Sequence, residues 1–318
     1  MNTLSLFYLA LTSVSFFWGT SYAAAKIGMY ELSPINLGIF RAILAAVLFA
    51  IILAKMDRGS TIERKDIPKF ILLGFLVITS YFYLHYTGLS YTTTINAALI
   101  IATSPIFTAL LGAALGWERI GTVGGIGITL AFVGVSLIIT NGQLGTIFQS
   151  ATLLGNLLLL SNALVWAGFT LYGKPLLQKY RPFTAIAYIH IFGTIMLLPF
   201  AFFPTKIAPL PFIQQVTTIS WPTAGAALYL AILCSVYGYY MWYTGVARIG
   251  PVKTAVFSYL NPLFAILTGV WLLGEKLTGY TIFGGILVIA GVYLTNQYKQ
   301  AALPVKQHSA YGRVEQYE

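Results

Sequence analysis

The chain has 318 residues, of which 58% are hydrophobic and only 8% are charged, and its formal net charge is +10. Because an average soluble domain is about one quarter charged, this composition excludes a protein whose whole surface faces water. The basic residues lie in the breaks between long apolar runs, which argues against a nucleic-acid-binding protein. The single cysteine, Cys234, excludes a disulfide framework and a thiolate metal site.

The first apolar run, residues 5–26, is long enough to cross a membrane. Residues 23–25 are three alanines and resemble a signal-peptide cleavage site. The first basic residue is Lys26, however, so the positively charged segment that begins a signal peptide is missing. We therefore predict a retained first helix.

Ten apolar runs follow one another along the chain, and each is close to the roughly 20 residues that a spanning helix needs. Continuous runs of this length exclude a β-barrel, whose strands alternate over about ten residues. The predicted spans are 5–26, 34–54, 69–88, 91–115, 121–140, 152–172, 183–203, 222–245, 250–273 and 278–297. The third and fourth runs are almost continuous, which predicts a tight helical hairpin. The predicted fold class is an all-α integral membrane protein with ten transmembrane helices.

The basic residues orient these spans. With the N-terminus in the cytoplasm, fourteen Lys and Arg residues fall on the inner side, and only Lys26, Lys206 and Lys276 fall on the outer side. Such an excess of positive charge is typical of cytoplasmic loops. Both termini are therefore predicted to be cytoplasmic, with residues 298–318 forming a disordered tail.

The second half of the chain repeats the first. An offset of 148 residues pairs Trp18 with Trp166, and an offset of 157 residues pairs Pro105 with Pro262. The longer offset also pairs Tyr83 with Tyr240, Tyr86 with Tyr243, Glu118 with Glu275, Gly127 with Gly284 and Gly134 with Gly291. Each half contains five spans, an odd number, so the second half enters the membrane from the opposite side. The sequence predicts two inverted five-helix repeats, 5–140 and 152–297, an arrangement suited to alternating access.

The segment FFWGTSYAAAK at residues 16–26 resembles the first span of the EamA family, within the drug/metabolite transporter superfamily. The segments 105–118 and 262–275 resemble the same family, and the likeness extends over roughly residues 6–297. It implies a transporter of a bacterial or archaeal plasma membrane, with a central cavity lined by spans 1, 3, 4, 6, 8 and 9. In the second half WAGFTLYGK replaces WGTSYAAAK, so the motif is only partly repeated there.

Aromatic residues at repeat-related positions are the first candidates for substrate binding. Trp18 lies more than ten residues into its span, too deep for the aromatic belt, so Trp18 and Trp166 are predicted either to line the cavity or to pack. Tyr83 and Tyr240 are the preferred pair of tyrosines in the cavity wall, because a phenol combines a stacking face with a hydrogen-bonding tip. Tyr86 and its repeat partner are predicted to be belt residues.

Polar residues inside the spans are the second group of candidates. Asn96, Ser104 and Asn261 are predicted either to bind substrate or to join helices, since polar side chains in lipid face the bundle interior. Ser104 and Asn261 each precede a mid-span proline, which frees a backbone carbonyl. Arg41 is predicted either to bind a substrate carboxylate or to snorkel outward to helix-end carbonyls. The embedded His85 and His190 are predicted to make structural hydrogen bonds.

Glu118 and Glu275 lie at helix ends beside a basic residue and are predicted to form surface ion pairs rather than to carry protons. Mid-span positions contain no Asp or Glu, so proton coupling has no obvious carboxylate there. The glycine-rich fifth and tenth spans are predicted to pack closely, either between the halves or at the seam of a homodimer.

These features together predict a secondary transporter of the plasma membrane that exports a small organic metabolite, such as an amino acid, by alternating access. A small-molecule substrate and the lipid bilayer are the predicted partners, and no nucleic acid, cofactor or metal is predicted. Nucleotide-binding glycine motifs are missing, which argues against ATP-driven transport. The alternatives are a membrane-embedded enzyme, which would need clustered His, Asp or Glu residues, and a non-transporting scaffold.

Overall fold

The structure, a computed structural model, describes residues 3–56, 61–116, 119–142, 151–202, 209–249, 254, 257–297 and 299–300. The long helices are α1 (Thr3–Gly28), α2 (Pro34–Met56), α3 (Arg64–Ser90), α4 (Thr94–Ala114), α5 (Thr122–Thr140), α6 (Leu153–Lys179), α7 (Pro182–Ala201), α8 (residues 221–249), α9 (Ser258–Leu273) and α10 (Gly279–Gln297). A five-residue helix, Phe212–Val216, precedes α8. The described part of the tail begins with Lys299–Gln300, which pairs antiparallel with Arg119–Ile120. The rest of the predicted tail, residue 298 and residues 301–318, lies outside the described residues.

Helices α2 to α8 are seven helices that are long and apolar enough to cross a membrane, and α9 and α10 are shorter apolar helices. In lipid a helix satisfies its own backbone hydrogen bonds, which irregular segments cannot do. The chain is therefore a multi-pass helical membrane protein. The predicted hairpin is present, because only residues 91–93 separate α3 from α4.

Helix α6 continues past its predicted end at residue 172 and includes Pro175. The end of the helix is held by side chains: the Lys179 ammonium lies 2.6 Å from the Asp66 carboxylate, and the Tyr180 hydroxyl donates to the same carboxylate at 2.8 Å. Because Asp66 lies in the first turn of α3, this contact ties the end of α6 to the beginning of α3.

The small-residue faces of α5 and α10 pack against each other within the chain. A Cβ atom on Gly134 would lie 2.5 Å from the carbonyl oxygen of Gly284, and one on Gly127 would lie 2.6 Å from that of Gly291. Backbones this close leave room only for hydrogen at these positions. The glycine faces predicted from the sequence therefore form a contact between the halves.

Candidate functional site

A group of aromatic rings lies where α1, α6 and α8 meet. Trp18 and Trp166 contact each other edge to face, with ring centroids 6.2 Å apart. Tyr239 lies 5.7 Å from Trp18 and 6.2 Å from Trp166, and Trp242 lies 5.0 Å from Trp18. Tyr81 of α3 adds a contact at 5.5 Å from Trp166. We call these five residues the central aromatic cluster; its two tryptophans are the pair that the repeat predicts to be equivalent.

Helices α3 and α8 each contain a π-helical segment beside this cluster, Phe75–Ser80 and Leu230–Tyr237. The offset of 157 residues carries positions 75–80 onto 232–237, so the segments occupy equivalent places in the two halves. A π turn widens the helix and is often found at functional sites. Residues of both segments are mostly apolar and carry no local signal, so the sequence reasoning missed them.

The π segment of α8 holds Trp18. Its indole N–H donates to the carbonyl oxygen of Cys234 at 2.9 Å. Gly238 lies one turn further on, where a Cβ atom would come within 2.7 Å of the indole nitrogen. The equivalent indole N–H of Trp166 has no hydrogen-bond acceptor among the described residues. The two tryptophans are thus related by the repeat but differ in their bonding.

Arg41 of α2 points into the bundle and is only 6% exposed. Its Nε donates to the Ser235 hydroxyl at 2.8 Å, and its Nη1 donates to the Tyr86 hydroxyl at 3.0 Å. The guanidinium also lies 4.7 Å from the centre of the Phe82 ring, a cation–π contact. The predicted alternative in which Arg41 snorkels to helix-end carbonyls is wrong, because neutral side chains of α3 and α8 hold the charge inside.

The prediction that Tyr86 and Tyr243 belong to the membrane-interface belt is also wrong. Tyr86 is fully buried, and its hydroxyl accepts a hydrogen bond from Arg41. Tyr243 is only 8% exposed. The Tyr243 ring packs on Phe169 of α6 at 6.0 Å. Buried tyrosines usually place the hydroxyl on a polar partner, and the partner of Tyr86 could not be assigned from span depth alone.

Tyr83 and Tyr240, the predicted cavity tyrosines, lie outside the central aromatic cluster. The Tyr83 ring packs on Phe200 at 5.7 Å, and Tyr240 packs on Phe183 at 5.6 Å and is 40% exposed. The inward position next to Tyr240 is occupied by Tyr239. The offset of 157 residues pairs Tyr239 with a phenylalanine rather than a tyrosine, so matching identical residues pointed one position too far along the helix.

Helix α4 is interrupted just before the predicted Pro105, and α9 begins with a tighter turn just before the predicted Pro262. Helix α4 breaks after Ile101 and resumes at Ser104, whose hydroxyl donates to the Ile101 carbonyl at 2.5 Å. Helix α9 begins with a 3₁₀ turn, Ser258–Leu260, that leads into Asn261. The side-chain oxygen of Asn261 is buried without a hydrogen-bond donor among the described residues. The break in α4 and the 3₁₀ turn of α9 bring polar groups into the bundle, an arrangement also found in the discontinuous helices of membrane transporters.

The first turn of α4 is stabilised by side-chain caps. The Thr93 hydroxyl accepts from the backbone N–H of Asn96 at 3.1 Å. The Glu275 carboxylate accepts from the backbone N–H groups of Thr94 at 2.7 Å and Ile95 at 3.1 Å. An anion is favoured at a helix N-terminus, where the N–H groups lack helical partners.

The predicted surface ion pair of Glu275 is therefore wrong, because its carboxylate caps a helix instead. Its repeat partner, Glu118, lies outside the described residues.

The embedded histidines lie near Arg41 and the aromatic rings. His85 stacks on Tyr81 at 5.4 Å and lies 3.4 Å from the side-chain amide of Asn162, within hydrogen-bond distance. His190 packs on Phe49 at 4.8 Å, and its Nε2 has no hydrogen-bond partner among the described residues. Within the described part of the chain, no three His, Cys, Asp or Glu side chains are grouped so that they could hold a metal ion.

Comparison with known proteins identifies several relatives that match most of the chain. An uncharacterized transporter of Archaeoglobus fulgidus is 36% identical over 298 residues, which cover 93% of this chain and 98% of that protein. A probable amino-acid metabolite efflux pump of Salmonella typhimurium is 28% identical over 282 residues, covering 87% and 90% of the two chains. A probable terminal-alkyne amino-acid exporter of Streptantibioticus cattleyicolor is 28% identical over 289 residues, covering 91% and 92%.

A solved crystal structure, 19% identical in sequence, superimposes with a TM-score of 0.62 and covers 91% of this chain and 96% of its own. This likeness shows a shared fold. The EamA-like transporter family matches the sequence twice, over residues 5–140 and 153–297. The matches together span most of the chain and both of its halves. The chain therefore belongs to the EamA-like transporter family.

Proposed function

We propose that this chain is a secondary transporter that exports a small organic metabolite, such as an amino acid or a related compound, across the plasma membrane by alternating access. Family membership and the amino-acid exporters among its relatives support this function. The observation that carries the proposal is the contact between Trp18 and Trp166, because equivalent residues of two halves meet there with aromatic faces and buried polar groups around them. Substrate sites of repeat-built transporters lie at such an interface.

The proposal includes two inverted five-helix repeats, 5–140 and 152–297, with ten spans. Two packing contacts between the halves, which the repeat relates to each other, support it. A Cβ atom on Gly88 would lie 2.8 Å from Leu159, and one on Gly245 would lie 2.9 Å from Leu11. The two offsets carry the first contact onto the second, as expected if one half is a rotated copy of the other.

The first helix, α1, spans the membrane in this proposal, although it carries several polar residues along its length. It packs against α8 and α9, and its residues Leu11 and Ser15 are fully buried. Its polar groups are used inside the bundle: the Ser15 hydroxyl donates to the Phe257 carbonyl at 2.7 Å, and Ser13 shares a hydrogen bond with Tyr237 at 2.8 Å. A helix surrounded by other helices needs less apolar surface than one that faces lipid.

The predicted orientation, with both termini in the cytoplasm, completes the proposal and rests on the distribution of Lys and Arg. Within the bundle, Trp18 and Trp166 form the substrate-contacting centre. Arg41 provides a positive charge beside them. In this proposal the remaining predicted substrate-binding residues contact the solute elsewhere along its path: Tyr83, Asn96, Ser104, Tyr240 and Asn261.

Counterflow in proteoliposomes tests the proposal. Purified protein would be reconstituted into proteoliposomes, and separate batches would be loaded with the unlabelled amino acids of a panel, one compound in each. Uptake of the same compound in labelled form would then be followed. We expect exchange for at least one compound and a loss of about tenfold or more in Trp166→Ala. Trp221→Ala is the matched control, because this tryptophan is 90% exposed and lies far from the centre along α8. Equal loss in both variants, or no exchange of any compound, would contradict the proposal.

A further inference from the structure

We infer that Arg41 selects the charge of the transported solute, by binding a carboxylate or another single anionic group on it. The inference rests on the proposed transport function and adds a substrate class to it: small solutes with an aromatic or apolar body and one anionic group. Cationic solutes, such as polyamines and quaternary ammonium drugs, are excluded from this class.

Arg41 has hydrogen-bond donors that no described side chain accepts from. A guanidinium has five N–H donors in a planar fork that matches two carboxylate oxygens. Two of these donors have acceptors among the described residues, the hydroxyls of Ser235 and Tyr86. Both acceptors are neutral, and so is the Phe82 ring that lies against the cation. The positive charge is hydrogen-bonded in part and is not neutralised by these three side chains.

The acidic residues of the chain do not supply a counter-charge for Arg41 among the described contacts. The four that the structure describes are all bonded elsewhere: Glu31 to Ser220, Glu63 and Asp66 to Lys179, and Glu275 to the N-terminus of α4. The other four, at positions 57, 118, 315 and 318, lie outside the predicted spans in the sequence. A buried charge is costly unless an opposite charge accompanies it. An anionic solute supplies that opposite charge.

Arg41 is connected to the central aromatic cluster through α8. Ser235, which binds the guanidinium, follows Cys234, whose carbonyl binds Trp18. The same π segment therefore holds the cation and the first aromatic ring, and Tyr239 lies one turn further along α8. A solute with its anionic group at Arg41 would place its body against these rings. Such a binding site would combine one charged group with apolar walls, as small-molecule sites usually do.

A purely structural role for Arg41 makes a different prediction. In that role the guanidinium only ties α2 to α3 and α8, through Tyr86 and Ser235. Its replacement would lower thermal stability without changing which solutes bind. The charge-selecting role predicts a change in selectivity that does not follow stability.

The test uses three probes that share a phenyl ring and differ in charge: 3-phenylpropionate, phenylalanine and phenylalaninamide. Binding to purified wild-type protein would be measured by thermal stabilisation and by quenching of tryptophan fluorescence. We expect 3-phenylpropionate and phenylalanine to bind about 10- to 100-fold more tightly than phenylalaninamide, as expected for a charge-assisted hydrogen bond. This comparison needs no mutation, so misfolding cannot obscure it. Equal binding of the amide and the acids would overturn the inference.

Two variants then assign the effect to Arg41. We expect Arg41→Gln to lose the preference for the acids and Arg41→Lys to keep part of it. Tyr86→Phe is the control, because it removes the hydroxyl that accepts from the guanidinium and leaves the charge of Arg41 in place. We expect this variant to keep the preference for the acids. An unchanged preference in folded Arg41→Gln would overturn the inference.

Flux measurements separate this inference from the proposed function. Flux of neutral or cationic solutes that depends on Trp166 and not on Arg41 would overturn the charge selection and leave transport standing. Binding of the acids through Arg41 with no flux of any solute would support the anion site and contradict transport.

Discussion

The two halves of the chain keep the same backbone contacts and differ in their polar groups. The contact of Gly127 with Gly291 is the repeat image of the contact of Gly134 with Gly284, and in all four a Cβ atom would meet the backbone of the opposing helix. Residues at a close helix contact can hardly be replaced by larger ones, because any added atom pushes the two backbones apart. Polar residues outside such close contacts are not restricted in this way, so their side chains differ between the two halves.

The ends of the repeat-equivalent helices show this difference. At the end of α6, Lys179 lies 2.5 Å from Glu63 and 2.6 Å from Asp66. The equivalent of Lys179 in the first half is Glu31, just after α1, and it accepts from the backbone N–H and the hydroxyl of Ser220, both at 2.9 Å. Ser220 is in turn the equivalent of Glu63. The contact at the end of α6 is therefore an ion pair between charged side chains, and we call it the ionic junction. The equivalent contact after α1 joins the Glu31 carboxylate to the neutral Ser220, and we call it the neutral junction.

The largest predicted effect is at the shared glycine contact. Gly134→Ala should destabilise the protein by about 1–3 kcal/mol, because the added methyl group meets the Gly284 carbonyl. Gly125→Ala on the same helix has open space and should be neutral or stabilising by up to about 1 kcal/mol. Thermal unfolding in detergent measures both. Equal effects of the two substitutions would show that the α5–α10 contact is not as close as described.

The next effect is at the ionic junction. Lys179→Met removes the cation that two carboxylates share and leaves buried Asp66 with Tyr180 and the exposed Lys69, so the melting temperature should fall clearly. Lys65→Met is the matched control, since Lys65 is an exposed lysine whose one ion pair among the described residues is with Glu63. Exposed pairs contribute little to stability. A similar loss in both variants would contradict the difference between a shared and a peripheral lysine.

A smaller effect separates the two tryptophans. Trp18→Phe removes the hydrogen bond to Cys234 and should cost about 0.5–1.5 kcal/mol of stability. Trp166→Phe loses no comparable bond within the described residues and should cost less stability, while its effect on flux should be at least as large. Chemical denaturation and counterflow on the same preparations measure the two quantities. A reversed order of stability losses would contradict the difference in bonding.

The smallest effect concerns pH at the neutral junction. Hydrogen bonds from Thr223 and Ser220 hold the pKa of Glu31 below its ordinary value of 4.5. A carboxylate whose pKa is lowered by folding stabilises the protein above its ordinary pKa, and this contribution is lost as pH falls through the lower pKa of the folded state. The melting temperatures of the wild type and Glu31→Gln should therefore differ at neutral pH and converge below pH 4.5. A difference that persists unchanged in stronger acid would contradict the assignment.

Much of this architecture could be predicted from the sequence, since run length and the repeat are properties of the chain itself. The α3–α4 hairpin, the helix break before Pro105, the turn before Pro262 and the packing of the glycine-rich helices all follow from local composition and repeat spacing. The contact of Trp18 with Trp166 could be anticipated only as a symmetry relation, because depth in a span does not give distance between spans.

The polar details could not be predicted in the same way. The burial of Tyr86 depends on Arg41 of another helix, and the cap of Thr94 by Glu275 joins residues 181 positions apart. The π segments arise in sequences with no Gly or Pro signal inside them. Each of these features depends on which helices become neighbours and on how each one is rotated, and a periodic apolar pattern does not specify either.

The inverted repeat is the central claim, and site-directed labelling tests it directly. Arg64 and Trp221 are repeat-equivalent, exposed and located at the beginnings of α3 and α8. Single cysteines at these positions, in a Cys234→Ala background, would be labelled with a membrane-impermeant maleimide in intact cells and in inside-out vesicles. The account predicts that Trp221→Cys is labelled only from outside and Arg64→Cys only from the cytoplasmic side. Labelling of both cysteines from the same side would contradict it.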